Sequence, residues 1–286
     1  MKIIKYFFEF ILIFTFFIIF KIIGYKKASN LGEKIGKKFG PIFRSNQKIE
    51  ENLRISNIGS SEINRKNIIR NMWGNYGRIF AEYMFIKKFK ENHLSNNIQI
   101  VGQEILEKIK NDKEPVIFIS GHFNNFELMA MHIEKSGIDL ATIYRPLNNK
   151  FLNPIMEKIR KNYICKKQVK KGLSGTKEIL KYFKSGYSIA LMIDQRVSEG
   201  IRCDFFNKQA FTTTIPAQFV KKFNCRIIPI YIERVKDYYF KLEVLNPIKF
   251  DKTQNIESIT IQLNKILEEM IKKNPEQWIW SHNRWK

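Results

Sequence analysis

The sequence predicts an α/β domain, a mixed and mainly parallel sheet flanked by helices, preceded by an N-terminal membrane helix. Three observations predict it. Short apolar, β-branched runs alternate along the chain with stretches whose apolar residues recur at helical spacing. The 286 residues suffice for one large domain with a full core. Residues 1–25 stand apart as a nearly unbroken apolar stretch. The expected division is an anchor over 1–25 and a cytoplasmic domain over 26–286.

The anchor opens with Lys2 and Lys5 and runs apolar and aromatic to Lys21. Tyr6 to Ile23 as a helix reaches about 27 Å, close to the hydrocarbon thickness of a bilayer. No A-x-A-like cleavage site follows, so an uncleaved helix is expected rather than a secretory signal. Lys21, Lys26, Lys27, Lys34, Lys37, Lys38 and Arg44 follow it, against two lysines before it, which puts the body on the cytoplasmic side. Leu31, Ile35, Phe39 and Ile42 lie at helical spacing among these lysines. They form either a surface-lying amphipathic helix or a simply packed one.

Ser60 or Ser61 can cap a longer helix with a core stripe of Ile69, Met72, Trp73, Tyr76, Phe80 and Tyr83. Val116 to Ile119 is a buried strand by composition, and Ile138 to Tyr144 is the next. Leu152, Ile155, Met156 and Ile159 mark a helix, and Ser174 to Phe183 another. The strand Tyr187 to Ile193 ends in Asp194-Gln195-Arg196. Cys203-Asp204-Phe205-Phe206 precedes Thr212-Thr213-Thr214 and a helix through Phe223. Arg226–Ile232 and Tyr239–Leu245 read as strands, and Ile256 to Met270 as a long helix.

Chemistry concentrates in Pro115 to Glu127, P-V-I-F-I-S-G-H-F-N-N-F-E. Gly121 gives a turn after the strand, so His122 falls at the strand's carboxyl end, where α/β sheets bind ligands. Glu127 falls in the first turn of the following helix. Two readings of Glu127 stand. A carboxylate beside a histidine fixes the imidazole tautomer and stabilises the imidazolium. Equally, Asn124 followed three residues later by Glu127 fits a helix capping box, which involves no chemistry.

A formal charge of +23 points to anionic partners, such as an acidic membrane face, phosphorylated lipid or an acidic protein. The lysines are dispersed and carry no nucleic-acid-reading motif, so no nucleic-acid partner is expected. Cys165, Cys203 and Cys225 have no metal or redox spacing, and the four histidines are scattered. There is no G-x-S-x-G elbow, P-loop, Rossmann fingerprint or H-E-x-x-H. What remains is a histidine–carboxylate pair on a basic, membrane-anchored chain, which suits general-base transfer of an acyl group to a lipid hydroxyl.

Several segments carry a resemblance in order: the N-terminal apolar helix, R-N-M-W-G-N-Y-G-R at Arg70–Arg78, H-x-x-x-x-E at His122–Glu127, and Tyr144-Arg145-Pro146. Asp194-Gln195, Phe205-Phe206 with the threonines, and W-x-W-x-H-x-R-W-K at Trp278–Lys286 complete it. Together they resemble the late acyltransferases of lipid A biosynthesis, the lauroyl/myristoyl family, over nearly the whole chain. The resemblance implies a glycerol-3-phosphate-acyltransferase-like fold on the bacterial inner membrane, with His122 as general base and Glu127 as its partner. It implies an acyl-carrier-protein thioester as donor, a lipid A precursor hydroxyl as acceptor, and no metal or bound cofactor. Arg145 is the candidate phosphate or oxyanion contact. Asp194 and Gln195 are candidates for substrate binding or for structural support of the site. Another glycolipid or glycerophospholipid acceptor, and an inactive lipid- or carrier-binding module, remain the alternatives.

Overall fold

The protein is described from a computed structural model that covers residues 2–286. Its first helix, α1 (Lys2–Ile23), is long and apolar enough to cross a membrane and leaves Phe8, Leu12 and Ile22 exposed. Gly24 ends it at φ 80°, a backbone conformation open to glycine and strained for other residues. α1 does not stand clear of the body. Phe17 and Phe20 are buried against Phe80, and Phe7 and Phe10 pack on Phe151.

The helix α2 (Tyr25–Phe43) packs along α4 (Glu62–Glu82), with α3 (Asn46–Ile55) between them in sequence. The α2–α4 contact is backbone-close. A Cβ on Gly32 would overlap the Gly77 carbonyl, and one on Gly36 would overlap the Trp73 carbonyl. Of the two readings for residues 31–43, the packed helix therefore holds over most of its length; only its end exposes Phe39, Ile42 and Phe43. Ser61 caps α4, its hydroxyl accepting from the Asn64 amide at 3.1 Å. The predicted stripe is inward: Ile69, Met72, Trp73 and Tyr83 are buried, and Tyr76 and Phe80 are half-buried.

After α5 (Ile86–Lys90) the chain builds a seven-stranded sheet: β1 (Ile98–Val101), β2 (Ile117–Ser120), β3 (Leu140–Tyr144), β4 (Lys167–Lys170), β5 (Ser188–Met192), β8 (Ile227–Lys236) and β9 (Tyr239–Val244). A hairpin of β6 (Ile201–Phe205) and β7 (Lys208–Thr212) stands apart from it. The spatial order is β1-β9-β8-β2-β5-β3-β4, and every pairing is parallel except β8 with β9. The sheet is thus mixed and mainly parallel, as expected. Its centre, β2, is apolar on both faces and wholly buried, as a strand covered by helices must be.

The crossovers are α6 (Gln103–Asp112), α7 (Glu127–Lys135), α8 (Asn153–Ile159), α9 (Leu173–Lys184) and α10 (Ile215–Phe223), and α11 (Ile256–Lys273) follows the last strand. α8 runs on into a wide π turn, Arg160–Ile164. β1, β4, both strands of the hairpin, α3, α5 and α6 are additions to the elements predicted from sequence. Because β2, β5 and β3 are parallel neighbours, their carboxyl ends open on one side of the sheet. That side carries the site.

Candidate active site

β2 delivers His122. Ser120, the last residue of the strand, donates to the Ile230 carbonyl at 2.6 Å and fixes where the strand stops. Phe123 then turns into the core against Tyr231, with ring centroids 5.0 Å apart, which sends His122 the other way. The His122 ring lies edge-on to Phe126 and keeps 21% of its side chain exposed.

β5, the next strand, delivers Asp194. The Ile193 amide donates to the Ser120 carbonyl at 2.9 Å, so the two strand ends stay in step. Asp194 Oδ1 lies 2.7 Å from His122 Nδ1, and Oδ2 accepts the His122 backbone amide at 2.7 Å. Trp278 Nε1 donates to Oδ2 at 2.9 Å. The carboxylate is fully buried and can only accept, so it holds the imidazole proton on Nδ1 and leaves Nε2 as the basic nitrogen. Burial disfavours the imidazolium, but the Asp194 charge and hydrogen bond outweigh it and raise the His122 pKa. Burial likewise opposes ionisation of Asp194, and His122 overrides it, holding the carboxyl below its usual range.

Glu127 opens α7 as predicted, but its hydrogen bonds go elsewhere. Oε1 accepts Arg160 Nε at 2.8 Å and a terminal guanidinium nitrogen at 2.6 Å. The place beside Nδ1 that the sequence reading assigned to Glu127 is held by Asp194. The physical reason is the order of the strands. Asp194 leaves the neighbouring strand level with His122, whereas the start of α7 faces the π turn that carries Arg160. Glu127 remains near enough for its charge to add to the rise in the His122 pKa. The capping box does not form either. Asn124, at φ 40°, donates to Asn75 Oδ1 at 2.9 Å and Gln277 Oε1 at 2.8 Å, and accepts the Asn125 amide at 2.7 Å.

The other predicted site residues are spread along the same rim. Gln195 follows Asp194 and is half-buried, while Arg145 stands exposed at the end of β3. β3 is two strands from β2, so Arg145 starts about 10 Å along the rim from His122. Sequence reasoning missed three contributors. Arg160 was lost inside a helix-to-turn junction. Trp278 was seen as part of a motif but given no partner. Tyr76 was assigned to the core, yet burial and then the nearby Asp194 charge push its phenol well above the ordinary value.

The closing segment roofs this region. Arg284 is fully buried and donates to Thr212 Oγ1 at 2.7 Å and the Phe211 carbonyl at 2.5 Å; burial lowers its pKa to about 10. Burial lowers the His282 pKa below its ordinary value. Elsewhere His132 is pushed down to about 4 by burial, so it is no competing base. Burial raises Cys165 and Cys225 to about 12, which makes them packing thiols rather than nucleophiles. Among the described residues no three His, Cys, Asp or Glu side chains converge as metal ligands.

A mixed α/β sheet with an aspartate-held histidine at its strand ends suits general-base chemistry, and comparison with known proteins identifies the family. The model of the bacterial lipid A biosynthesis acyltransferases matches residues 1–286, and the chain belongs to that family and is an acyltransferase. It is 23% identical over 254 residues to lipid A biosynthesis acyltransferase 2 of Shigella flexneri, covering 86% of this chain and 80% of that one. It is 23% identical over 271 residues to the lipid A biosynthesis lauroyltransferase of Escherichia coli (strain K12), covering 92% and 86%. Among solved structures, a 1-acyl-sn-glycerophosphate acyltransferase from Thermotoga maritima aligns at a TM-score of 0.42 and 13% identity, over 87% of this chain and 98% of that one.

Proposed function

We propose that the protein transfers a fatty acyl chain from an acyl-carrier-protein thioester to a hydroxyl of a lipid A precursor, with His122 as general base. The observation that carries this reading is the Nδ1–Asp194 bond, which leaves Nε2 unprotonated at the exposed edge of the imidazole. Nε2 takes the acceptor's hydroxyl proton as its oxygen attacks the thioester carbon. Collapse of the tetrahedral intermediate breaks the C–S bond and expels the thiolate, which takes the proton from the imidazolium. Such base catalysis contributes about 10²–10⁴-fold in rate. Asp194 keeps the tautomer and stabilises the imidazolium, and the charge of Glu127 works in the same direction. The thioester brings its own activation, so this reading uses no bound cofactor or metal.

Arg145, exposed on the rim, is the candidate phosphate contact, because a guanidinium suits phosphate geometry. Arg145→Ala then weakens use of a phosphorylated acceptor more than of a dephosphorylated one, and an equal loss on both would remove that role. Gln195, beside Asp194, is the remaining substrate-side candidate. The length of α1 and its exposed apolar side chains support a membrane anchor, with the basic residues after it favouring a cytoplasmic body. Mass spectrometry of lipid A from cells with and without the protein tests the acceptor. Loss of one acyl chain is expected. Unchanged lipid A, with transfer seen instead to a glycerophospholipid, would move the acceptor to that class.

A further inference from the structure

We propose that the loops after β3 and β4 form a second membrane contact, separate from α1, which seats the catalytic rim on an anionic phospholipid surface. This rests on the reading of α1 as a membrane anchor and extends it to residues that no hydropathy argument would select.

Strand register puts the two loops together. Tyr144 and Lys170 are paired at the ends of β3 and β4, and the Lys171 amide donates to the Tyr144 carbonyl at 2.8 Å. Residues 145–152 and 171–173 therefore leave the sheet side by side, on the same edge as His122 and Asp194. Their tips are apolar. Leu173 is 86% exposed at the start of α9, Leu147 is 39% exposed and Phe151 38%. One exposed leucine on a soluble surface calls for no explanation. Three apolar side chains on adjoining loops, one of them packed on α1, do.

Continuity with α1 sets the depth. Phe151 packs on Phe7 and Phe10 at 5.7 and 5.9 Å between centroids, and Asn149 Nδ2 donates to the Tyr6 carbonyl at 2.8 Å. Further along, Phe17 and Phe20 pack on Phe80. The body thus rests on α1 from Phe7 to Phe20, about 20 Å of helix. A helix gripped along its side over that length meets a bilayer at its boundary, together with the loop that grips its first half. Leu147 and Phe151 reach that boundary beside α1, and Leu173 on the adjoining loop with them.

The charge around the tips suits this occupant. Arg145, Lys150, Lys170, Lys171 and Lys177 are exposed around the apolar residues. The carboxylates nearby are Glu9 of α1, which accepts from Asn149 at 3.3 Å, Glu157 and the exposed Glu178, so the cations outnumber them. Glu157 accepts from the Tyr144 hydroxyl and Asn153 and lies 4.0 Å from Lys170. An apolar tip within a cationic ring matches an interface of acyl chains beneath anionic headgroups. An acidic protein would meet the charges but leave Leu173 without a partner.

The test uses the full chain carrying one introduced cysteine at a time, since the three native thiols are buried. Leu173→Cys reports the loop and Leu12→Cys reports α1. Glu114→Cys, 74% exposed just before β2 at the opposite end of the sheet, is the control. Each is labelled with an environment-sensitive fluorophore in nanodiscs containing phosphatidylglycerol and nitroxide-bearing lipid chains. Quenching at 173 and 12 but not at 114 is expected. Quenching at 12 alone overturns the second contact and leaves the anchor standing. No quenching at either overturns both. A Lys170→Glu, Lys171→Glu, Leu173→Glu variant should then lose acyl transfer to a bilayer-embedded acceptor while keeping it with a detergent-dispersed one. A raised KM for the acyl donor, equal in both settings, would instead assign the rim to an acidic carrier protein and overturn the proposal.

Discussion

Asp194 and Glu127 are two buried carboxylates at neighbouring element ends, one bound to an imidazole and the other to a guanidinium, and they are built for different work. Asp194 divides its oxygens: one faces His122 Nδ1, the other accepts the His122 amide and Trp278. Backbone, ring and indole together leave it one orientation. Glu127 spends a single oxygen on two nitrogens of Arg160, a pair that is 10% and 17% exposed. The first carboxylate holds an imidazole whose pKa it raises. The second neutralises a guanidinium that stays charged throughout, and it acts on His122 only through space. Catalytic control therefore follows from what the partner can do with a proton, more than from how short the hydrogen bonds are.

The largest effect should come from Asp194→Asn, which keeps the shape and removes the charge. By analogy with an aspartate-to-asparagine change in a histidine-based triad, kcat should fall by about 10³–10⁴-fold. The pH profile sharpens the point. On the proposed mechanism the base is neutral imidazole, so activity should be lost as pH falls through the His122 pKa, which Asp194 holds above its ordinary value. In the asparagine variant that pKa drops, and the acid limb of residual kcat/KM should move to lower pH. An unmoved limb would break the assignment of Asp194 as the partner.

Glu127→Gln comes next, with at least about a 10²-fold loss in transfer, the low end for acid/base catalysis. It also leaves Arg160 partly buried without its counter-charge, so unfolding should show destabilisation of about 3 kcal/mol. Glu127→Gln combined with Arg160→Met separates the two effects. Stability should recover, and activity should stay low. Recovery of both would reduce Glu127 to a structural counter-ion and make the contrast with Asp194 complete. Trp278→Phe removes one hydrogen bond to a charged acceptor and should lower kcat about tenfold at unchanged KM. The smallest effect sets the floor for purely structural damage. Ser61→Ala removes the α4 cap, at about 1 kcal/mol of stability, and acyl transfer per folded molecule should be unchanged.

Central strands and amphipathic helices were legible in the sequence because each advertises its own burial. β2 and β5 are apolar runs, and the α11 stripe repeats at helical spacing. The edge strands were not: β1 reads I-Q-I-V and β4 reads K-Q-V-K, too short and too polar to stand out from a loop. His122 and Asp194 could both be placed at strand ends. That they face each other, 72 residues apart, follows only from β5 lying next to β2 in the sheet. The close α2–α4 packing did have a readable signal. Ala28, Gly32, Gly36 and Gly40 recur every four residues, which clears one face of a helix for another backbone.

The indole of Trp278 reaches a carboxylate 84 residues earlier in the chain. At about 5–20 residues per second of synthesis, roughly 4–17 s separate the making of Asp194 from that of Trp278. Over that interval the central strands of the sheet can pair, yet the aspartate that steers the base lacks one of its three restraints. A chain still on the ribosome is thus slow to acquire a fully organised His122–Asp194 pair. Maturation of the site is tied to synthesis of the Trp278 segment, and the sheet can form before its strand-end pair is fully restrained.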